Sequence, residues 1–417
     1  MITAHREGST SVRNGFTRGV ATLVGLALAG GGLAAVGTAP AAASSYDCPS
    51  GYFCGWTGES AGGSMWKTNK DVADLGGWDN KIRSYVNRTT RFACVYEDKN
   101  FTPWGGYWAQ KPDGPGEYSG YPVATTSSVK FVRTERECSQ PAYPEWSSET
   151  SPKALGFGDL NGDRRADVVT RDDAGRLWFS PGDTTGRLIG TGGWNAMSAL
   201  TRHGDFSRDG REDVIAREAS TGKLWLYPGT GTGALGSRKL IGTGGWNGMS
   251  RITAFGDLTG DGHSDLVAVE KATGKLWLYP GASAGLGARK LIGTGGWNAM
   301  NALVGMGDVN GDGRPDLYAR EASTGKLWLY PGAPAGKLGS RTLIGNGGWN
   351  AMAHFLPVGD FSGDGVPDLA TVTNEKYVLD GYPGNLGWLV TYRGRGNGSL
   401  TSGTPTHGEW WGLNGFL

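Results

Sequence analysis

The chain has 417 residues, among them 74 glycines and 17 tryptophans, with 40 Lys and Arg against 39 Asp and Glu. A formal charge of +1 gives no electrostatic reason to expect nucleic acid or an anionic membrane as partner. The length allows two or three domains, and abundant glycine without a collagen-like period excludes a fibrous rod and points to many short strands joined by tight turns.

Residues 1–43 read as a secretory leader. Arg6, Arg13 and Arg18 form a basic start, and Ala21 to Val36 an apolar stretch interrupted by glycine. Ala41-Ala42-Ala43 then offers a small-residue cleavage site before Ser44. The stretch is short and no stop-transfer pattern follows, which argues against membrane insertion. No Arg-Arg pair occurs, so general export is favoured over twin-arginine export. Removing three Arg and one Glu with the leader leaves an extracellular chain with charge near −1.

Cys48, Cys54, Cys94 and Cys138 all lie early in that mature chain. An even count in an exported segment reads as two disulfides, and four cysteines allow three pairings. Cys48–Cys54, closing a short loop, and Cys94–Cys138, clipping the end of the domain, are the favoured pairs. Zinc is disfavoured because the segment has no histidine and the compartment is oxidising. Residues 46–138 contain two roughly parallel halves. Gly51-Tyr-Phe-Cys-Gly-Trp56 opens one; Phe92-Ala-Cys-Val-Tyr96 opens the other, followed by Phe101, Trp104, Tyr107 and Trp108. Each closes on a short apolar run, Ile82 to Val86 and Ser128 to Val132, bounded by turn residues as strands are.

The Cys48-Pro-x-Gly-Tyr-x-Cys54 opening, the Cys94-Val-Tyr-Glu-Asp98 run and Trp78-Asp-Asn-Lys-Ile-Arg-Ser84 resemble the peptidase inhibitor I36 family. The resemblance implies a βγ-crystallin-like double Greek key over 44–138 and inhibition of secreted metalloproteases. The calcium signature of such folds is degraded here, because Arg83 stands in its fifth place after Asp79-Asn80. Gly58-Glu-Ser60-Ala-Gly62 matches the nucleophile elbow, but it sits in a small strand-rich module with no helix after it and reads as a glycine-rich hairpin. Residues 139–152, polar and carrying three prolines, read as an extended, semi-stiff linker.

From Lys153 onward the chain repeats about every 51 residues, the sign of a propeller or solenoid. Acidic loops begin at Asp159, Asp205, Asp257, Asp308 and Asp360. Each places oxygen side chains at loop positions 1, 3, 5 and 9: Asp159, Asn161, Asp163 and Asp167; Asp205, Ser207, Asp209 and Asp213; Asp257, Thr259, Asp261 and Asp265; Asp308, Asn310, Asp312 and Asp316; Asp360, Ser362, Asp364 and Asp368. Crowded carboxylates alternating with turn residues suit a hard cation held by oxygens, so Ca2+ is the expected cofactor; an Asx-rich hairpin turn is the alternative. No Glu stands at position 12, which excludes an EF-hand. Arg164 and Arg208 replace glycines in the first two loops, which are therefore expected to bind most weakly.

Four strands can be read in each unit, the content of one blade, so 153–417 is expected as a five-bladed β-propeller and the whole chain as all-β. The loops resemble FG-GAP/VCBS-type repeats, with Gly156-Phe-Gly-Asp159 and Ala254-Phe-Gly-Asp257 keeping the approach. The Ile-Gly-x-Gly-Gly-Trp elements ending at Trp194, Trp246, Trp297 and Trp349 resemble tachylectin-2-like lectins, which implies binding of N-acetylated sugars. On that reading these rings stack on a sugar and Asn195, Asn247, Asn298 and Asn350 fix its polar groups; the alternative is a packing plug between blades. Trp178, Trp225, Trp277 and Trp328 alternate within strands and are expected in the core. The fifth unit departs, with Trp388-Leu-Val-Thr-Tyr392 and His407 to Asn414 replacing the repeat elements. Gly231 to Gly236 contains a G-x-G-x-x-G pattern, but no helix follows and a dinucleotide site is excluded.

Two functions follow from this reading. One is a secreted, calcium-binding lectin whose propeller engages a cell-surface or extracellular glycan while the head docks a protein. The other is a secreted metalloprotease inhibitor localised by its propeller, or an adaptor of an extracellular assembly. An enzyme is disfavoured, since His203, His263, His354 and His407 are scattered and no nucleophile–base pattern accompanies them.

Overall fold

The computed structural model describes residues 47–103, 105–112, 125–139, 143–283, 285–406 and 410–417. The expected leader, together with Trp104 and His407, lies outside these residues. Every extended element described is a strand, and the helical pieces are single 3-10 turns.

The head consists of two three-stranded antiparallel sheets, one from each half. Strands β1 (Phe53–Trp56), β2 (Met65–Thr68) and β3 (Ser84–Asn87) pair in the order β2-β1-β3. Strands β4 (Phe92–Tyr96), β5 (Tyr107–Gln110) and β6 (Ser128–Val132) pair as β5-β4-β6. Phe53, Ile82, Tyr85, Val95, Val129 and Phe131 meet between the sheets as one core. The disulfides are Cys48–Cys54 and Cys94–Cys138, both buried. Around Ser60 the chain makes a tight turn, with Gly58 N–H donating to Gly62 O at 2.8 Å, so the hydroxyl sits on a hairpin as the glycine pattern indicates.

Five four-stranded antiparallel sheets follow. Blade 2 is typical: Met197–Arg202, Val214–Glu218, Leu224–Tyr227 and Lys239–Gly242, in that order. The first strands of the five blades touch one another in a closed ring. Closure comes from the C-terminus, because Leu413–Phe416 is the innermost strand of blade 1 and pairs with Val168–Asp172. In the third strand of blades 2, 3 and 4, Leu-Trp-Leu-Tyr alternates buried leucines with half-buried Trp and Tyr, the period of two that a strand imposes.

Residues 143–152 differ from the extended, semi-stiff linker expected of 139–152. Tyr143 and Trp146 are buried. Ser148 N–H donates to Gly182 O at 2.9 Å, Trp146 packs on Trp410 and Phe361, and Ser151 Oγ donates to Asp360 Oδ2 at 2.6 Å. Proline and polar composition predict exposed coil; two aromatic anchors outweigh it by removing large apolar rings from water.

Head and propeller share a core at blade 1. Trp178 is fully buried among Phe101, Tyr143, Val132 and the Cys94–Cys138 bridge. Arg176 lies over the Phe101 ring at 4.6 Å and pairs with Asp172 at 2.7 Å and Asp71 at 3.2 Å. Trp178→Ala should therefore destabilise by roughly 3–5 kcal/mol, the usual cost of deleting a buried tryptophan. Calorimetry should show the single transition of the parent separating into head and propeller components. An unchanged melt would mean that the shared core contributes nothing.

Candidate functional sites

The five acidic loops share one hydrogen-bond plan. In loops 1 to 4 the position-1 carboxylate accepts the backbone N–H groups of positions 4, 5 and 6; Asp257, for example, accepts Gly260 at 2.7 Å, Asp261 at 3.1 Å and Gly262 at 2.7 Å. Asp360 accepts positions 5 and 6 and also Ser151. Asp163, Asp209, Asp261, Asp312 and Asp364 each accept the N–H of position 7. Positions 4 and 6 are left-handed, and where Arg208 and Arg164 replace glycine they hold φ of 61° and 64°. The loop thus keeps its course through both substitutions, at a local strain of about 1 kcal/mol each.

The position-9 aspartates are buried. Asp213 Oδ2 accepts the N–H of Phe206 and Ser207, and its Oδ1 accepts Gly229 N–H at 2.9 Å. Asp265, Asp316 and Asp368 likewise join their own loop to Gly281, Gly332 and Gly394. Burial, added to by the neighbouring carboxylates of the loop, pushes these four carboxyls up to about 6. Asp167 makes no such link, its Oδ1 is buried without a partner, and burial pushes it up to about 8.

These loops have the donor chemistry of a hard cation, and in the second loop one oxygen each of Asp205, Asp209 and Asp213 lie within 4.8 Å of one another. Arg208 does not part these three carboxylates. In the first and fourth loops Asn161 and Asn310 turn their amide nitrogens toward Asp163 (2.9 Å) and Asp312 (3.1 Å), so a half-turn of the amide is needed to present oxygen. Ser207, Thr259 and Ser362 hold their hydroxyls 3.4–3.5 Å from the position-1 carboxylate.

Trp194, Trp246, Trp297 and Trp349 face the neighbouring blade. Their rings lie 4.5–4.8 Å from those of Tyr227, Tyr279, Tyr330 and Tyr392 in the next blade. The indoles leave no room for a side chain at Gly190, Gly242, Gly293 or Gly345, which explains the Ile-Gly step of the motif. Asn195, Asn247, Asn298 and Asn350 each donate to a backbone carbonyl of the preceding hairpin, at 2.8–3.0 Å. Arg171, Arg217 and Arg320 clamp the same turns by donating to the carbonyls of the Trp and the Met three residues on. These contacts are those of the packing alternative, a plug between neighbouring blades.

Three of the second tryptophan series depart from expectation. Only Trp178 is in the core; Trp225, Trp277 and Trp328 are half-buried on the third strands of their blades. Arg238, Arg289 and Arg341 lie over these rings at 3.9–4.0 Å. Across the strand stand exposed Leu240, Leu291 and Leu343. Glu218, Glu270 and Glu321, at the ends of the second strands, each accept a bond from Thr221, Thr273 or Thr324. The Thr273 hydroxyl, then Trp277 and Arg289, hold the Glu270 carboxyl below its usual range. Blade 1 has Trp178 and Leu188 in register but covered by the head, and blade 5 has Val390 in the tryptophan's place. Three half-buried indoles of one design, each under a guanidinium, result. The signal was present in the sequence as a recurring Arg two residues before the outer-strand leucine.

His203 is buried against Phe157, ring centroids 4.0 Å apart, and burial lowers its pKa to about 3, so it stays neutral. His354 packs on Phe416, and His263 sits 3.2 Å from Arg208.

The model of peptidase inhibitor family I36 matches residues 41–110, and that of the FG-GAP-like repeat matches 205–268, 257–319 and 308–371. The chain therefore carries an I36-type head and FG-GAP-like repeats. No curated protein matches it. Among solved structures it is similar to a lectin of Agrocybe aegerita, solved for its specific recognition of non-reducing terminal N-acetylglucosamine. The identity is 16% over 88% of this chain and 94% of that one, with TM-score 0.38. The Tc holotoxin pore of Photorhabdus luminescens matches at 16% identity over 82% of this chain and 17% of that one, TM-score 0.31. A dihydro-heme d1 dehydrogenase matches at 11% over 92% and 78%, TM-score 0.30.

The position-9 aspartates give a pH dependence of definite sign. A carboxyl raised from 3.8 to about 6 binds its proton more tightly when folded, so its stabilisation is complete below 3.8 and is lost as pH climbs through about 6. Chelator-treated protein should thus lose melting temperature between pH 4 and 6. If Ca2+ occupies the loops, adding it should raise the melt more at pH 7 than at pH 4.5, because a cation selective for the native state replaces the protons. A calcium response absent at both pH values would remove the ion from the account.

Proposed function

We propose that the protein is a secreted, calcium-binding lectin whose sugar sites are the three half-buried indoles Trp225, Trp277 and Trp328. The single observation that supports this reading is their repetition: an indole, a guanidinium, a carboxylate, a threonine and an exposed leucine recur in one arrangement on three successive blades. An indole face takes the apolar face of a pyranose, while Arg and Glu supply a donor fork and an acceptor for its hydroxyl or N-acetyl groups. The arginine now over each ring would move aside and keep contact with the sugar's oxygens. Weak individual sites on adjacent blades gain strength together on a glycan-coated surface. Calcium would be held by the acidic loops, apart from the sugar.

The head supports a second role. Its I36-type sequence suggests a protein partner, a secreted metalloprotease among them, bound through surface that the propeller leaves free. Secretion agrees with the two disulfides; among the described residues no helix is long and apolar enough to cross a membrane.

The test is a glycan array with residues 44–417, read with Ca2+ and with chelator. N-acetylated sugars should bind. Trp225→Ala, Trp277→Ala and Trp328→Ala combined should abolish binding with the melt retained, and each alone should weaken it about tenfold or more through lost avidity. Binding unchanged in the triple variant, or absent in the parent, would overturn the lectin reading; assay of the same protein against secreted metalloproteases would then decide the head's role.

A further inference from the structure

A cleft of about 620 Å³ lies between the second sheet of the head and the first hairpin of blade 1. Its lining includes Lys130 of β6 and, around it, Arg91, Arg133, Glu137 and Asp173. Along β6 the side chains alternate. Val129 and Phe131 enter the core of the head, while Val132 joins the cluster shared with the propeller, and Lys130 lies on that same side.

Lys130 is only 8% exposed, yet among the described residues its ammonium has no hydrogen bond or ion pair. Two of the carboxylates around it, Asp71 and Asp172, are already committed. Asp71 accepts Phe131 N–H at 2.8 Å and Arg176 at 3.2 Å, and Asp172 accepts Arg176 and Trp178 Nε1 at 2.7 and 2.9 Å. A buried ammonium is normally paired, because its desolvation is otherwise uncompensated. Burial accordingly lowers the Lys130 pKa, against the pull of Asp172. Burial also raises that of Asp173, against the pull of Lys130.

The lining carries three cations, Arg91, Lys130 and Arg133, and three anions, Asp71, Glu137 and Asp173, with Asp71 held by Arg176. Such a surface, balanced in charge, offers cations to a ligand's carboxylate and acceptors to its donors. The volume falls within the range of small-molecule sites. We propose that the cleft binds a small organic carboxylate that also bears hydrogen-bond donors, its carboxylate meeting Lys130 and Arg133 and its hydroxyl or ammonium groups turned toward Asp173 and Glu137. An acidic monosaccharide and an amino acid share this chemistry. The site is separate from Trp225, Trp277 and Trp328.

Calorimetric titration of residues 44–417 with D-glucuronate, L-glutamate, acetate and neutral D-glucose tests this. Saturable binding of glucuronate or glutamate, at roughly millimolar Kd or tighter, and not of acetate or glucose is expected, and whichever binds identifies the source. Arg133→Ala, at an exposed position, should weaken binding about tenfold or more. Lys130→Met, which keeps the buried stem, should abolish it while raising the melting temperature, because an unpaired ammonium is removed. Trp277→Ala should bind as the parent does. No saturable binding of either carboxylate, parental affinity in Arg133→Ala, or loss in Trp277→Ala would each overturn the proposal. The last two remain decisive should Lys130→Met fail to fold.

Discussion

A carboxylate taken out of water must be surrounded by donors, and in this propeller that demand is met blade by blade at loop position 9. Asp213, Asp265, Asp316 and Asp368 spend one oxygen on the amides of their own loop and the other on the glycine amide that follows the third strand. Each therefore joins the second-strand entrance to the third-strand exit of a single sheet. The acidic motif is first a device for fixing the blade. Any cation it holds is bound to a loop that the backbone has already shaped. Blade 1 shows what happens when the link is absent: Asp167 keeps an oxygen without a donor and stands furthest from its ordinary pKa.

A second demand is that successive blades stay together. The Trp-Asn turn satisfies it by putting an indole on the next blade's tyrosine and an amide on the preceding hairpin, with Arg171, Arg217 and Arg320 closing three of the turns. This occupies the Ile-Gly-x-Gly-Gly-Trp residues in assembly and frees the other tryptophans for the surface. On blade 1 that surface is covered: Phe101 and Tyr143 stand against Trp178, and Arg176, paired with two aspartates, lies over it. The head thus uses a face of the same make-up as the three that stay open, an aromatic ring under a guanidinium beside a leucine.

Much of this was legible in the chain. Five acidic loops in one phase announced five blades, because a period of that length with four apolar runs per unit can bury its faces only by stacking neighbours in a ring. The two cysteine pairs were readable from short spacing and from position at the ends of the head. The first tryptophan series was left open between a packing plug and a sugar platform, and the second was expected in the core, where only Trp178 lies. Trp225 and Trp246 both follow glycine or lysine-leucine steps in polar surroundings, and nothing local says which will meet a neighbouring blade. The linker misled for a related reason, since Tyr143 and Trp146 are anchored by residues far away in sequence, Trp178 and Trp410.

The sequence by itself determined the all-β class, the blade number, the acidic loops and the disulfide-stapled head, because these rest on spacing, turn chemistry and local periodicity. Only the tertiary structure decided which indoles are plugs and which are surface, where the head sits, and that Lys130 faces a cleft with Asp71 and Asp172 already taken. Burial and pairing depend on what the next blade or the head brings into contact, and those partners lie from tens to hundreds of residues away along the chain.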